Sequence, residues 1–119
     1  MVDLRVWNRC RGWILAALRP ECASETELFS DLMAGRAQLW AGDRSAMVTQ
    51  CVAGDPGPCL HVWLAGGELA EILDMKPGIE AWARAQGCTH VTIDGRAGWT
   101  RVLRRHGYAP RGVELERRL

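Results

Sequence analysis

Apolar and polar residues recur along this chain with two different periods, and each period predicts a different kind of element. Leu4 to Trp7 alternates briefly and reads as a short first strand. Asn8 then suits the N-cap of a helix from Arg9 to Leu18, with Trp13, Ile14, Ala17 and Leu18 on one face and Pro20 as its stop. Ser24-Glu25-Thr26-Glu27 is a capping box: the Ser24 hydroxyl accepts from the amide three residues on, and Glu27 reaches back to the amide of Ser24. The helix behind it presents Leu28, Phe29, Leu32 and Met33 and ends at Gly35.

From residue 36 the period drops to two. Arg36 to Ala41, Ser45 to Ala53 and Cys59 to Ala65 read as three strands. Gly42-Asp43-Arg44 and Gly54-Asp55-Pro56-Gly57-Pro58 join them, and connections this short and turn-rich predict an antiparallel meander. In the third strand Leu60, Val62 and Leu64 are expected on one face, with Cys59, His61 and Trp63 on the other. Gly66-Gly67 breaks the strand. A helix begins at Glu68, kinks or restarts at Pro77, and buries Ile79, Trp82 and Ala83 before Gly87. Val91 to Asp94 reads as a strand, Ala97 to His106 as a helix and Val113 to Arg117 as a last strand. The expected order is β-α-α-β-β-β-α-β-α-β: an α/β (α+β) domain over residues 1–119, one mixed sheet flanked by helices. The helix before residue 88 imposes a parallel crossover in an otherwise antiparallel sheet.

Composition narrows the classes. With 119 residues, 48% of them hydrophobic, the chain can bury a core without disulfide or metal supports. The apolar run Trp13 to Leu18 is too short to span a bilayer and carries no cleavage-site pattern. Five cysteines, none in a C-x-x-C pair, read as reduced core residues of a cytosol-like compartment. The net charge of +1 is unevenly spread: residues 1–95 carry eight basic and twelve acidic groups, residues 96–119 seven Arg and two Glu. A basic C-terminal surface with Arg101, Arg104, Arg105 and Arg111 follows, and a solvated helix face is its ordinary reading.

The C-terminal run GR-x-GW-x-x-x-L-x-x-x-GY (residues 95–108), set behind that order of elements, resembles the Gcn5-related N-acetyltransferase superfamily. The run W-A-R-A-Q-G-C followed by I-D-G-R-A-G-W is similar to small acetyltransferase-like proteins of tailed phages and prophages. The resemblance implies that the third strand ends in a Q/R-x-x-G-x-G/A loop, whose amides cradle the pyrophosphate of acetyl-CoA. The backbone from Val62 to Gly67, with Leu64, Gly66, Gly67 and an anion-binding Arg96, would then be the cofactor site. Here Leu64 stands at the Gln/Arg position, and the second small position falls on Leu69 or Glu68. The family's Tyr acid, which protonates the CoA thiolate, is replaced by Leu103; Tyr108 lies five residues further on.

Other constellations compete. Cys59-x-His61 and Cys88-x-His90 begin two strands expected to be parallel neighbours, where two Cys and two His form the ligand set of a zinc site. The plainer reading is small core thiols and locally bonded imidazoles. The same residues with Asp94 could form a Cys-His nucleophile, although nothing marks an oxyanion site. Trp40 alternates opposite to Ala37, Leu39 and Ala41, so it reads as an exposed or interfacial anchor.

With both the phosphate loop and the acid degenerate, the expected function is a non-catalytic, phage- or prophage-encoded scaffold. It would be a virion or virion-assembly component in the bacterial host cytoplasm or the particle, with no cofactor, acting through contacts with other protein chains or itself. The alternative is a small acetyl-CoA-dependent N-acetyltransferase. Nucleic acid is a weaker candidate partner, and a membrane is not one.

Overall fold

The structure, a computed structural model, describes residues 2–18, 24–94, 97–111 and 114–119, and the side chains of all of these except 94, 97–100, 111 and 114. Among these residues four helices, α1 (Leu4–Ala17), α2 (Glu25–Met33), α3 (Leu69–Ala85) and α4 (Ala97–Arg104), flank six strands. The strands are β1 (Gln38–Ala41), β2 (Ser45–Val52), β3 (Cys59–Gly67), β4 (His90–Asp94), β5 (Ala109–Arg111) and β6 (Glu114–Arg118). They form one sheet in the order β1-β2-β3-β4-β6-β5. Every neighbouring pair is antiparallel except β3–β4, which the α3 crossover makes parallel. The mixed α/β class and the meander are therefore as the sequence predicts.

The two ends of the order differ. Among the described residues no strand precedes α1. Asp3, not Asn8, caps the first helix by accepting from the Arg5 amide at 2.8 Å. The helical stripe that matters is Trp7, Cys10 and Ile14, at spacings of three and four, and it overrides the short alternation at Leu4 to Trp7. At the other end an additional three-residue strand, β5, follows α4 and pairs with β6. Ser24 behaves as expected, accepting from the Glu27 amide at 3.2 Å. Pro77 neither breaks nor restarts α3, which runs through it.

Each sheet face has its own core. On one, α3 and α4 cover Met47, Leu60, Val62, Val91 and Ile93 with Ile72, Ile79 and Leu103. On the other, α1 and α2 cover Ala46, Val48 and Leu64 with Trp7, Ile14, Leu28 and Leu32. Each fully buried aliphatic side chain contributes roughly 1.5–3 kcal/mol. Leu64 does not share a face with Leu60 and Val62. Val48 pairs with Leu64 and Thr49 with Val62, so Trp63 is an extra residue in β3 and flips the alternation beyond it. Among the described residues no helix is long and apolar enough to cross a membrane.

Candidate functional site

Strands β3 and β4 pair only from Cys59/His90 to Val62/Ile93, while β3 runs on to Gly67. The segment Trp63–Gly67 therefore has no strand partner on its β4 side among the described residues, and it leads into the α3 N-terminus. This is where the resemblance puts a cofactor. The small residues there already have occupants. A Cβ on Gly66 would stand 2.3 Å from the carbonyl oxygen of Trp13, so its missing side chain lets α1 approach the sheet. Gly67 has φ 103°, and a Cβ there would stand 2.3 Å from the carbonyl oxygen of Arg44 on the neighbouring turn.

The N-cap amide of α3 and two acidic side chains at its start are engaged too. The Glu68 amide donates to the Arg44 carbonyl at 3.0 Å, and the Glu68 carboxylate takes the Arg44 guanidinium in a fork at 2.5 and 3.2 Å. Glu71, one turn in, accepts from the Arg44 amide at 2.9 Å and from the buried Ser45 hydroxyl. Those hydrogen bonds, the Ser45 one foremost, hold its carboxyl below the usual carboxylate range. A Cβ on Gly42 would overlap Glu71 Oε1, so the glycine of the β1–β2 turn serves this carboxylate. Two carboxylates, Glu68 and Glu71, are therefore held at the start of α3 by Arg44 and Ser45. Leu64 is buried against α1 and α2, and Leu69 is exposed.

Leu103, which the resemblance sets at the general-acid position, is fully buried in the α3-side core. Tyr108 is buried as well, and its hydroxyl donates to Glu80 Oε2 at 2.9 Å while accepting from Lys76 Nζ. Lys76 Nζ lies 3.6 Å from Glu80 Oε2 and 4.1 Å from the Tyr108 ring centroid. Arg117 Nη1 reaches Glu80 Oε1 at 3.3 Å and donates to the His106 carbonyl at 2.8 Å. Burial, reinforced by Glu80, pushes the Tyr108 hydroxyl far above the ordinary range, so it keeps its proton for Glu80. Burial pushes the Lys76 ammonium down to about 8 against the opposing pull of Glu80.

Neither Lys76 nor Glu80 stands out in the sequence; their four-residue separation on a helix, with Lys76 the chain's lone lysine, is the available signal. A measurable consequence follows from the depressed Lys76 value. Between about pH 8 and the unfolded value near 10.5, the unfolded chain binds more protons at this group, so its burial penalty is relieved as pH rises. Lys76→Met removes the group. The variant's stability relative to the wild type is expected to fall by about 2 kcal/mol as urea titrations move from pH 7 to pH 10. A pH-independent difference would mean that Lys76 titrates normally. Comparing the two proteins cancels the opposite-signed contribution of Cys88, whose thiol burial pushes up to about 11.

The four metal-ligand candidates separate. Cys59, His61 and His90 lie on the sheet face away from α3, where Cys59 is the cross-strand neighbour of His90. Cys88 packs in the α3-side core. Among the described residues no group of three or more His, Cys, Asp or Glu side chains is arranged to hold a metal ion. Instead His61 Nδ1 and Cys59 Sγ share Thr92 Oγ1, at 2.9 and 3.3 Å, and His90 Nδ1 meets Thr89 Oγ1 at 2.7 Å. Cys59, His61, His90 and Thr92 line a cleft of about 340 Å³ whose other wall is Val52 to Asp55. The Asp94 side chain lies outside the described residues.

Trp40 is not an exposed anchor. It is half-buried on the α3-side core, its Nε1 donates to Thr49 Oγ1 at 2.9 Å, and its ring meets Trp82 edge-on at 5.5 Å. Arg101, Arg104 and Arg105 are exposed at spacings of three and one along and just beyond α4. Arg111 lies in β5 with its side chain outside the described residues, and Arg96 lies outside them altogether. The described residues form a mixed α/β fold whose β3–α3 junction packs Gly66 and Gly67 against Trp13 and Arg44 and holds Glu68 and Glu71. No protein-family model, no curated protein and no solved structure matches this chain.

Proposed function

We propose that this chain is a non-catalytic, acetyltransferase-like scaffold, of the kind carried by phages and prophages, that acts through protein–protein contacts in a virion or its assembly. The observation that carries the reading is the occupied β3–α3 junction. Gly66 and Gly67 are filled by the chain's own backbone, and Glu68 and Glu71, two carboxylates sharing the one Arg44 guanidinium, leave excess negative charge near the start of α3, where the resemblance would put phosphates. Like charges about 4 Å apart repel by roughly 1 kcal/mol in water and several-fold more in a partly buried cleft. Leu103, buried and without a proton, removes the acid that would protonate a departing thiolate.

Titration with acetyl-CoA in a calorimeter tests this directly. Millimolar ligand at moderate salt is expected to give no binding heat and no shift in thermal midpoint. Micromolar affinity, with acetyl transfer to any member of an amine panel, would instead establish the alternative: a small N-acetyltransferase holding CoA on the Val62–Gly67 backbone.

A further inference from the structure

Cys51 and Cys88 are 37 positions apart in sequence, yet their Sγ atoms lie 3.9 Å apart. Strand register explains the meeting. Cys51 pairs with Leu60, and Leu60 pairs with Val91, so all three present side chains to the α3 side of the sheet. Cys88 enters that same side three residues before Val91, in the turn between α3 and β4. The two thiols differ in access: Cys51 is exposed near the end of β2, whereas Cys88 is buried. Cys51 is thus not the core residue that cysteine counting suggests. Both sit at element ends, where side-chain rotation and a small backbone shift can close the gap to the roughly 2 Å of a sulfur–sulfur bond.

We propose that Cys51 and Cys88 form a reversible disulfide by exchange with a low-molecular-weight disulfide such as oxidised glutathione. The exposed Cys51 thiolate attacks one sulfur of the oxidant, giving a mixed disulfide and releasing one glutathione thiol. The Cys88 thiolate then attacks Cys51 Sγ, forming the internal bond and expelling the second glutathione. The protein loses two electrons and two protons, and one oxidised glutathione becomes two reduced ones. Burial of Cys88, which raises its pKa, makes it the slower, resolving partner and leaves the first attack to Cys51. The bond would tie the end of β2 to the start of β4 across β3. Val52, next to Cys51, begins the wall of the cleft that faces His61 and His90, so oxidation fixes that wall. The inference is independent of whether the domain binds acetyl-CoA.

The test is incubation of the purified protein with oxidised glutathione, alkylation of remaining thiols, intact mass and peptide mapping. The wild type is expected to lose two hydrogens, keep no glutathione, and yield a peptide linking Cys51 to Cys88. Its thermal midpoint should rise on the order of 10 °C and return on reduction. Cys88→Ser should trap one glutathione on Cys51, Cys51→Ser should prevent the link, and Cys59→Ser should leave it intact. Cys51 is exposed, so its serine variant is expected to fold as the wild type does. A wild type that stays glutathionylated at Cys51, links to Cys59 or another chain, or does not react would overturn the proposal.

Discussion

Glu80→Ala is expected to lower the unfolding free energy by about 3–5 kcal/mol. Glu80 is the carboxylate that three groups share: Tyr108 donates to it, Lys76 lies beside it and Arg117 reaches its other oxygen. Removing it leaves a buried ammonium and part of a guanidinium without counter-charge and the Tyr108 hydroxyl without its acceptor. The ammonium can escape part of the penalty by losing its proton, so the deficit should be smaller at pH 9 than at pH 6. Glu80→Gln keeps an acceptor for Tyr108 and loses only the charge, and an intermediate loss is expected. Urea titrations of both variants at the two pH values give the numbers. A loss under about 1 kcal/mol in Glu80→Ala would mean that the four side chains do not form this network.

Gly66→Ala is expected to cost about 2–4 kcal/mol, because the added methyl falls 2.3 Å from the Trp13 carbonyl oxygen and only a backbone shift can relieve it. The informative comparison is with Gly12→Ala and Gly78→Ala. These helical glycines have nothing within 4 Å of an added Cβ, and alanine there should stabilise by about 0.5–1 kcal/mol. If Gly66 were small in order to admit a ligand, its alanine variant would keep full stability and lose only binding. Thermal and urea unfolding separate the two outcomes without any ligand. A Gly66→Ala protein as stable as the wild type would return the junction to the list of possible cofactor sites.

The β3–α3 junction shows how far local rules reach. The misfit of Leu64, Glu68 and Leu69 to a phosphate loop is readable in the sequence, since it needs only residue types at a spacing. That Gly66 serves α1 and Gly67 serves the β1–β2 turn is not readable there, because their neighbours are Trp13 and Arg44, more than twenty positions away. Leu103 shows the same division. Its inability to donate a proton is a property of the residue, whereas its burial against α3 and the sheet is a property of the assembly. The metal candidates failed for a related reason. Residues i and i+2 share a face only inside a strand, and Cys88 lies before β4 begins at His90.

What this sequence determined by itself are the features set by nearest neighbours: the Ser24 cap, the turns at residues 42–44 and 54–58, the three-strand meander, and the α3 crossover that makes β3 and β4 parallel. Only the tertiary structure decided the rest. It extended α1 over a segment that alternates like a strand, because Trp7 and Cys10 gain a buried partner face only as a helix. It placed the bulge at Trp63, which divides β3 between two cores, and it buried Lys76 and Glu80 by closing Tyr108 and Arg117 over them. Each of these depends on desolvation by residues distant in sequence, and the free energy of burial belongs to the packed assembly rather than to any window along the chain.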